Sequence, residues 1–295
     1  MGIRDWTMGF LTSFACSSIW GQAPLEGFPS KLLARKVPIA VHLPQAAVIE
    51  AWRQSHPGDR LRLVLFLPGY FDGPQDLYKQ GIFAELIRRE SLGTLAPALW
   101  VAVTHYHAWY MDALDGSFPY RRFLLEELLP EIEKRHPEFG GRPESRTVAG
   151  LSMGGFAALN LSGNTELFGR CAAISPALLE PPFTRAGFFL RHGIRKAFPS
   201  DKEAFATWNP WRHKAGNAEL LLGSGRQDKY GLGKATEQLA AACKRPGRVV
   251  RLQMREGGHD WDTFTPAFLD YVEEINRPGS LDAGISDTPA SSAMQ

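Results

Sequence analysis

Short apolar runs rich in β-branched residues recur along the chain at Lys36–Leu43, Leu61–Leu67, Leu99–Thr104, Arg146–Ala149, Arg170–Ile174, Glu219–Gly223 and Val249–Met254. Several are nearly continuous rather than alternating, the pattern of strands covered on both faces. Between them the apolar spacing turns helical at Leu77–Arg89, Tyr120–Arg135, Gly154–Leu161, Lys234–Cys243 and Thr265–Ile275. In the second of these, Phe123, Leu124, Leu128 and Ile132 share one face. Steady alternation without an internal repeat predicts an α/β fold, a mostly parallel central sheet flanked by helices, in one domain over residues 30–276.

Two regions break the rhythm. Ser175 to Trp211 is a long connection rich in Phe, Pro and basic residues. An insertion of this length (about 176–211) at a sheet edge reads either as a lid-like binding element or as aromatic cover for the core. Residues 277–295 are small and polar and read as a disordered tail. Residues 1–29 have two readings. Met8 to Ile19 is moderately apolar and Gly21-Gln22-Ala23 offers small residues for cleavage, as in a signal peptide. Asp5 beside Arg4, the interrupting Thr and Ser residues and Pro24 point instead to a segment packed on the domain, with a cytoplasmic location slightly favoured.

Composition excludes several classes. The chain of 295 residues is 44% apolar and 22% charged, with a net charge of +2 and its Lys and Arg spread along it. No basic stripe marks a nucleic-acid partner, and no stretch is long and apolar enough to span a bilayer. Cys16, Cys171 and Cys243 are too scattered for a disulfide framework or a zinc site. Cys171 begins a strand and Cys243 lies in a helix, so both read as small core residues.

The chemistry is carried by Thr147-Val148-Ala149-Gly150-Leu151-Ser152-Met153-Gly154-Gly155-Phe156. A strand runs into Gly-x-Ser-x-Gly and an Ala-rich helix follows at once. That order makes a nucleophile elbow, the mark of an α/β-hydrolase fold, where glycines clear the space a sharp turn needs and the serine hydroxyl is thrust outward. A serine needs a base, and the base needs an orienting acid. His259 follows the last strand in Glu256-Gly257-Gly258-His259-Asp260-Trp261, C-terminal to serine and acid as this fold requires. The acid should lie at a strand end between them, and Leu220-Leu221-Leu222-Gly223-Ser224-Gly225-Arg226-Gln227-Asp228 supplies Asp228. Asp201 and Glu203 fall in the irregular insertion, and Asp260 and Asp262 shape the histidine loop. Backbone N–H groups for an oxyanion hole are expected from Met153, next to the nucleophile, and from Tyr70 in Leu67-Pro68-Gly69-Tyr70.

These segments together resemble the esterase D-type esterases, a group that includes feruloyl esterases, S-formylglutathione hydrolase and mycolyltransferases. The resemblance rests on Gly150–Gly155, on Trp109-Tyr110-Met111-Asp112 with Gly116, and on Glu127-Leu128-Leu129-Pro130. Gly225 with Asp228 and Gly258-His259-Asp260-Trp261 complete it, over Ser30 to Ile275. One departure is Pro68, where many members have His before the glycine; the donor there is a backbone group, so the oxyanion hole is not put in doubt. The resemblance implies hydrolysis or transfer of an acyl group from a small-molecule ester, with no metal and no organic cofactor.

Other residues point less sharply. His105 and His107 share a strand-end face; a metal would need a third ligand, so substrate contact is the better reading. Trp208 and Trp211 read either as walls of an acyl pocket or as buried packing. The expected function is a serine hydrolase cleaving a carboxylic ester through an acyl-enzyme. The alternatives are an acyltransferase of the same family and a non-catalytic ligand-binding protein on this fold.

Overall fold

The computed structural model describes residues 25–178, 209–213 and 216–278; residues 1–24, most of the 176–211 insertion including Trp208, and the tail from 279 lie outside them. An eight-stranded sheet runs β1 (Leu25–Ser30), β2 (Arg35–His42), β3 (Arg62–Leu67), β4 (Ala98–Val103), β5 (Arg146–Leu151), β6 (Arg170–Ile174), β7 (Glu219–Gly225) and β8 (Val250–Arg255). Its spatial order is β1-β2-β4-β3-β5-β6-β7-β8. β2 is antiparallel to both of its neighbours, and every other pairing is parallel. The mostly parallel sheet expected from sequence is therefore present, with an antiparallel hairpin at one edge.

Helices cover both faces: α1 (Ala46–Ser55), α2 (Asp76–Lys79), α3 (Ile82–Ser91), α4 (Tyr120–Arg122), α5 (Leu129–Arg135), α6 (Met153–Asn164), α7 (Pro210–His213), α8 (Leu232–Cys243) and α9 (Trp261–Asn276). Strand residues alternate between two apolar cores. Leu63, Leu65 and Leu67 of β3 belong to the core cluster that also takes in residues of α5, α6 and α8 on one side. Val64 and Phe66 meet α3 and α9 on the other, where Phe66 sits edge-to-face on Phe268 with ring centroids 5.4 Å apart. Burying one such side chain stabilises by roughly 1.5–3 kcal/mol. Cys171 and Cys243 are buried core residues, and burial pushes the Cys171 thiol up to about 12.

The helix expected over Tyr120–Arg135 is continuous but not uniform. It widens to π geometry over Phe123–Leu128, immediately ahead of Pro130, which has no N–H to give the Glu126 carbonyl. Glu127 on this stretch accepts from Lys31 N–H and Leu32 N–H, both at 3.0 Å, and closes the β1–β2 hairpin.

At the N-terminal edge of the parallel strands, buried Arg62 donates to the Arg277 carbonyl (2.6 Å) and to Thr147 Oγ1 (3.2 Å), and Arg170 pairs with Glu219 at 2.6 Å. Burial, with Arg170 nearby, pulls the Arg62 guanidinium down to about 9. This cluster pins the C-terminal end of α9. The other end of α9 lies at the opposite edge of the sheet, beside Ser152.

Candidate active site

The strand β5 ends at Leu151, and Ser152 turns the chain into α6 with φ 54° and ψ −116°. An L-residue rarely adopts this backbone, and holding it there costs on the order of 1–3 kcal/mol. The turn is tight enough to forbid side chains on both sides. A Cβ on Gly150 would stand 2.3 Å from the Gly154 carbonyl oxygen, and one on Gly154 would stand 1.8 Å from that of Leu67. The spacing of the motif is thus the spacing of two backbone contacts.

Ser152 Oγ lies 2.9 Å from His259 Nε2, and His259 Nδ1 lies 2.7 Å from Asp228 Oδ2. The carboxylate can only accept, so Nδ1 carries the proton and Nε2 is left to accept from the serine hydroxyl. Asp228 sits in the turn after β7 with its carboxylate fully buried, and its second oxygen accepts Tyr230 N–H at 2.8 Å. Around the imidazole, Tyr230 and Phe264 stand edge-on at 5.2 and 5.0 Å. The two loops that bring Asp228 and His259 together touch through backbone: a Cβ on Gly225 would meet the Gly257 and Gly258 carbonyl oxygens at 2.4 and 2.5 Å. Of the two glycines before His259, Gly257 has the positive φ (128°) that excludes a side chain. Asp260 caps α9, accepting Thr263 N–H at 3.1 Å, the loop-shaping place expected of it.

Ser152, Asp228 and His259 open on a cavity of about 770 Å³ that Tyr70 and Met153 also line. Met153 is the first residue of α6, so its N–H has no acceptor inside the helix. Tyr70 follows the Leu67–Gly69 segment that rests on Gly154. The two residues expected to supply oxyanion donors thus line the same cavity as Ser152.

Neither His105 nor His107 lines this cavity; His107 lines a second one, of about 660 Å³, with Arg35, Tyr106 and Met111. His105 Nε2–H donates to the Asp72 carbonyl at 3.0 Å, and its Nδ1 accepts His107 N–H at 2.9 Å. Burial, with His107 beside it, lowers its pKa to about 4, so the ring is neutral near pH 7. His107 lies against the Tyr70 ring, centroids 4.4 Å apart. Trp211 packs half-buried against the core beneath α6 and does not line the cavity. Among the described residues no three His, Cys, Asp or Glu side chains converge as a metal would require, and no helix is long and apolar enough to cross a membrane.

Three residues to which the sequence assigned no role of their own, Tyr110, Asp72 and Trp261, hold the Tyr70 loop in place. Buried Tyr110 donates its hydroxyl to the Pro68 carbonyl at 2.8 Å. Asp72 accepts Trp261 Nε1–H at 3.0 Å. Burial raises the Asp72 carboxyl, as does Asp76, while the Trp261 and Gly69 donors and the His259 imidazole draw it down. Tyr110 belongs to a loop in which Tyr106, His107, Trp109 and Tyr110 all have φ between 46° and 60°. The Trp109-Tyr110-Met111-Asp112 motif was the one local sign of it.

An eight-stranded sheet with a nucleophile elbow, and an acid and a histidine on successive strand ends, defines an α/β-hydrolase. Residues 30–275 match the model of the esterase family, described as "putative esterase", and the chain belongs to that family. It is in class a carboxylic-ester hydrolase. Its sequence is 24% identical over 275 residues to an acetyl esterase of Caldicellulosiruptor saccharolyticus, covering 85% of this chain and 96% of that one. Among solved structures it resembles a ferulic acid esterase (TM-score 0.64, 21% identity, 86% of this chain and 97% of the other). It also resembles an S-formylglutathione hydrolase from Agrobacterium tumefaciens (TM-score 0.63, 19% identity, 85% and 94%).

Proposed function

We propose that the chain cleaves small-molecule carboxylic esters through an acyl-enzyme on Ser152. The observation that carries this reading is the unbroken chain Asp228 Oδ2–His259 Nδ1 (2.7 Å) and His259 Nε2–Ser152 Oγ (2.9 Å) at the floor of an open cavity. His259 takes the Ser152 proton as Oγ attacks the carbonyl carbon. The Tyr70 and Met153 N–H groups donate to the oxyanion that forms. His259, now a cation stabilised by Asp228, returns the proton to the leaving alkoxide, and the alcohol departs. Water then adds to the acyl-enzyme with His259 as base, and the acid is released as Ser152 regains its proton.

Hydrolysis of p-nitrophenyl esters from acetate to long acyl chains, with Ser152→Ala in parallel, tests the reading. Wild type should turn over, and the variant should fall by several orders of magnitude. Equal activity in both would remove Ser152 from the mechanism. Silence of both, with no fluorophosphonate labelling of wild type, would remove the hydrolytic reading altogether.

A further inference from the structure

The oxyanion-donor loop and the histidine loop come from opposite ends of the chain, and one side chain joins them. Asp72 Oδ1 accepts Trp261 Nε1–H at 3.0 Å across 189 residues of sequence. Its other oxygen lies over Gly69, where an added Cβ would come within 2.3 Å of it, and Gly69 N–H donates to the same carboxylate. The Asp72 backbone is held as well: its N–H donates to the Gly69 carbonyl at 3.2 Å, and its carbonyl accepts His105 Nε2–H at 3.0 Å. Trp261 is the first residue of α9, two residues after His259, and its ring rests edge-on against Phe264, which in turn stands against the imidazole.

We propose that Asp72 is a positioning residue that clamps the Tyr70 N–H and the His259 imidazole at a fixed separation across Ser152. The proposal rests on the serine-esterase reading above and adds to it the part that sets its geometry. A half-buried carboxylate that pairs with no Lys or Arg among the described residues is a costly group to keep for stability alone. Its two acceptor oxygens serve two different loops. The far side of the Tyr70 loop is already held by Tyr110 and His105, but on the side facing His259 the link is Asp72. Acyl transfer needs the oxyanion donors and the base in register together, and a misplacement of about 1 Å costs on the order of 100-fold in rate.

Asp72 lines the cavity, but its carboxylate oxygens are taken by Trp261 Nε1–H and Gly69 N–H. Asp72→Ala should therefore lower kcat for p-nitrophenyl acetate by roughly 30–100-fold while KM stays within about threefold. Trp261→Phe should fall in the same direction, and the double variant should be no worse than the weaker single variant by more than about twofold, since both break one link. Asp72→Asn keeps one acceptor but sets an amide N–H against a donor, so its kcat should lie between those of wild type and Asp72→Ala. In the NMR spectrum of the 15N-labelled protein, the Trp261 indole N–H signal, assigned by its loss in Trp261→Phe, should shift in Asp72→Asn. That shift, with an unchanged unfolding temperature, separates a clamp from a collapsed fold. A stable Asp72→Ala protein with kcat within threefold of wild type overturns the proposal, as do independent multiplying effects of the two substitutions. A rise in KM at constant kcat overturns it too, by making Asp72 a substrate contact. Wild-type turnover and fluorophosphonate labelling of Ser152 are measured in the same series. If they are absent, the esterase reading fails and the clamp's role with it; if they are present, only the clamp is at issue.

Discussion

Gly154 and Leu67 stand in backbone contact, with the Leu67 carbonyl oxygen 1.8 Å from where a Gly154 Cβ would lie. The Pro68 carbonyl oxygen is the next obstacle, at 2.6 Å. Neither is the movable end of a side chain, so the two loops could not part without disturbing Ser152 or Tyr70. Gly154→Ala should therefore lose on the order of 2 kcal/mol or more of stability together with most of its ester hydrolysis. Urea unfolding and turnover of p-nitrophenyl acetate check both. A variant that keeps wild-type values in each would mean the loops separate freely.

The buried Asp228 carboxylate is what leaves the Nδ1 proton of His259 in place. Asp228→Asn keeps the size but turns one edge into a donor. The imidazole then prefers its proton on Nε2, facing the serine it should deprotonate. We expect kcat to fall by about 10³–10⁴-fold with little change in KM, and fluorophosphonate labelling of Ser152 to slow in parallel. A loss below tenfold would make the 2.7 Å contact a structural bond with no part in activating the base.

His105 gives the molecule an acid-side weakness. Its folded pKa, about 4, lies below the ordinary 6.5, so between these values the unfolded chain binds more protons than the folded one. Stability then rises with pH through this window and is lost as pH falls through it, by about 3 kcal/mol for a shift of this size. A neutral His105→Gln lacks this dependence. The stability of wild type relative to the variant should therefore increase from pH 4 to pH 7, read by urea unfolding at each pH. A constant difference would mean that His105 titrates as it does in the unfolded chain.

That Ser152, His259 and Asp228 come together was legible because each sits where a strand ends, in the chain order from which their proposed parts were read. Ser152 is marked by glycines that answer to local crowding, and local crowding leaves a local pattern. Asp72, Tyr110 and Trp261 act through contacts 189 or 42 residues apart in sequence, which no spacing rule registers. His105 and His107 were read as substrate contacts from their strand-end position alone, which carries no sign that both His105 nitrogens bond backbone groups. β1 escaped notice because it is an edge strand carrying Gly27 and Pro29, exposed along most of its length. α1 buries Ile49 and half-buries Trp52, too narrow an apolar face to stand out from a loop.

Strain at Ser152 makes a last prediction, in the opposite sense from the others. At φ 54° and ψ −116° Ser152 occupies a conformation natural to glycine and unfavourable to any residue with a Cβ. Ser152→Ala and Ser152→Gly both delete the hydroxyl and its bond to His259, so the difference between them isolates the backbone. Glycine relieves about 1–3 kcal/mol of strain and gives back roughly 0.5–1 kcal/mol through the greater freedom of its unfolded chain. The Gly variant should thus be the more stable of two inactive proteins, by about 1 kcal/mol in urea unfolding. If instead the Ala variant is equal or better, the elbow holds Ser152 without strain. Its positive φ would then be a consequence of the fold that costs nothing, and a more stable inactive protein would have to be sought elsewhere in the site.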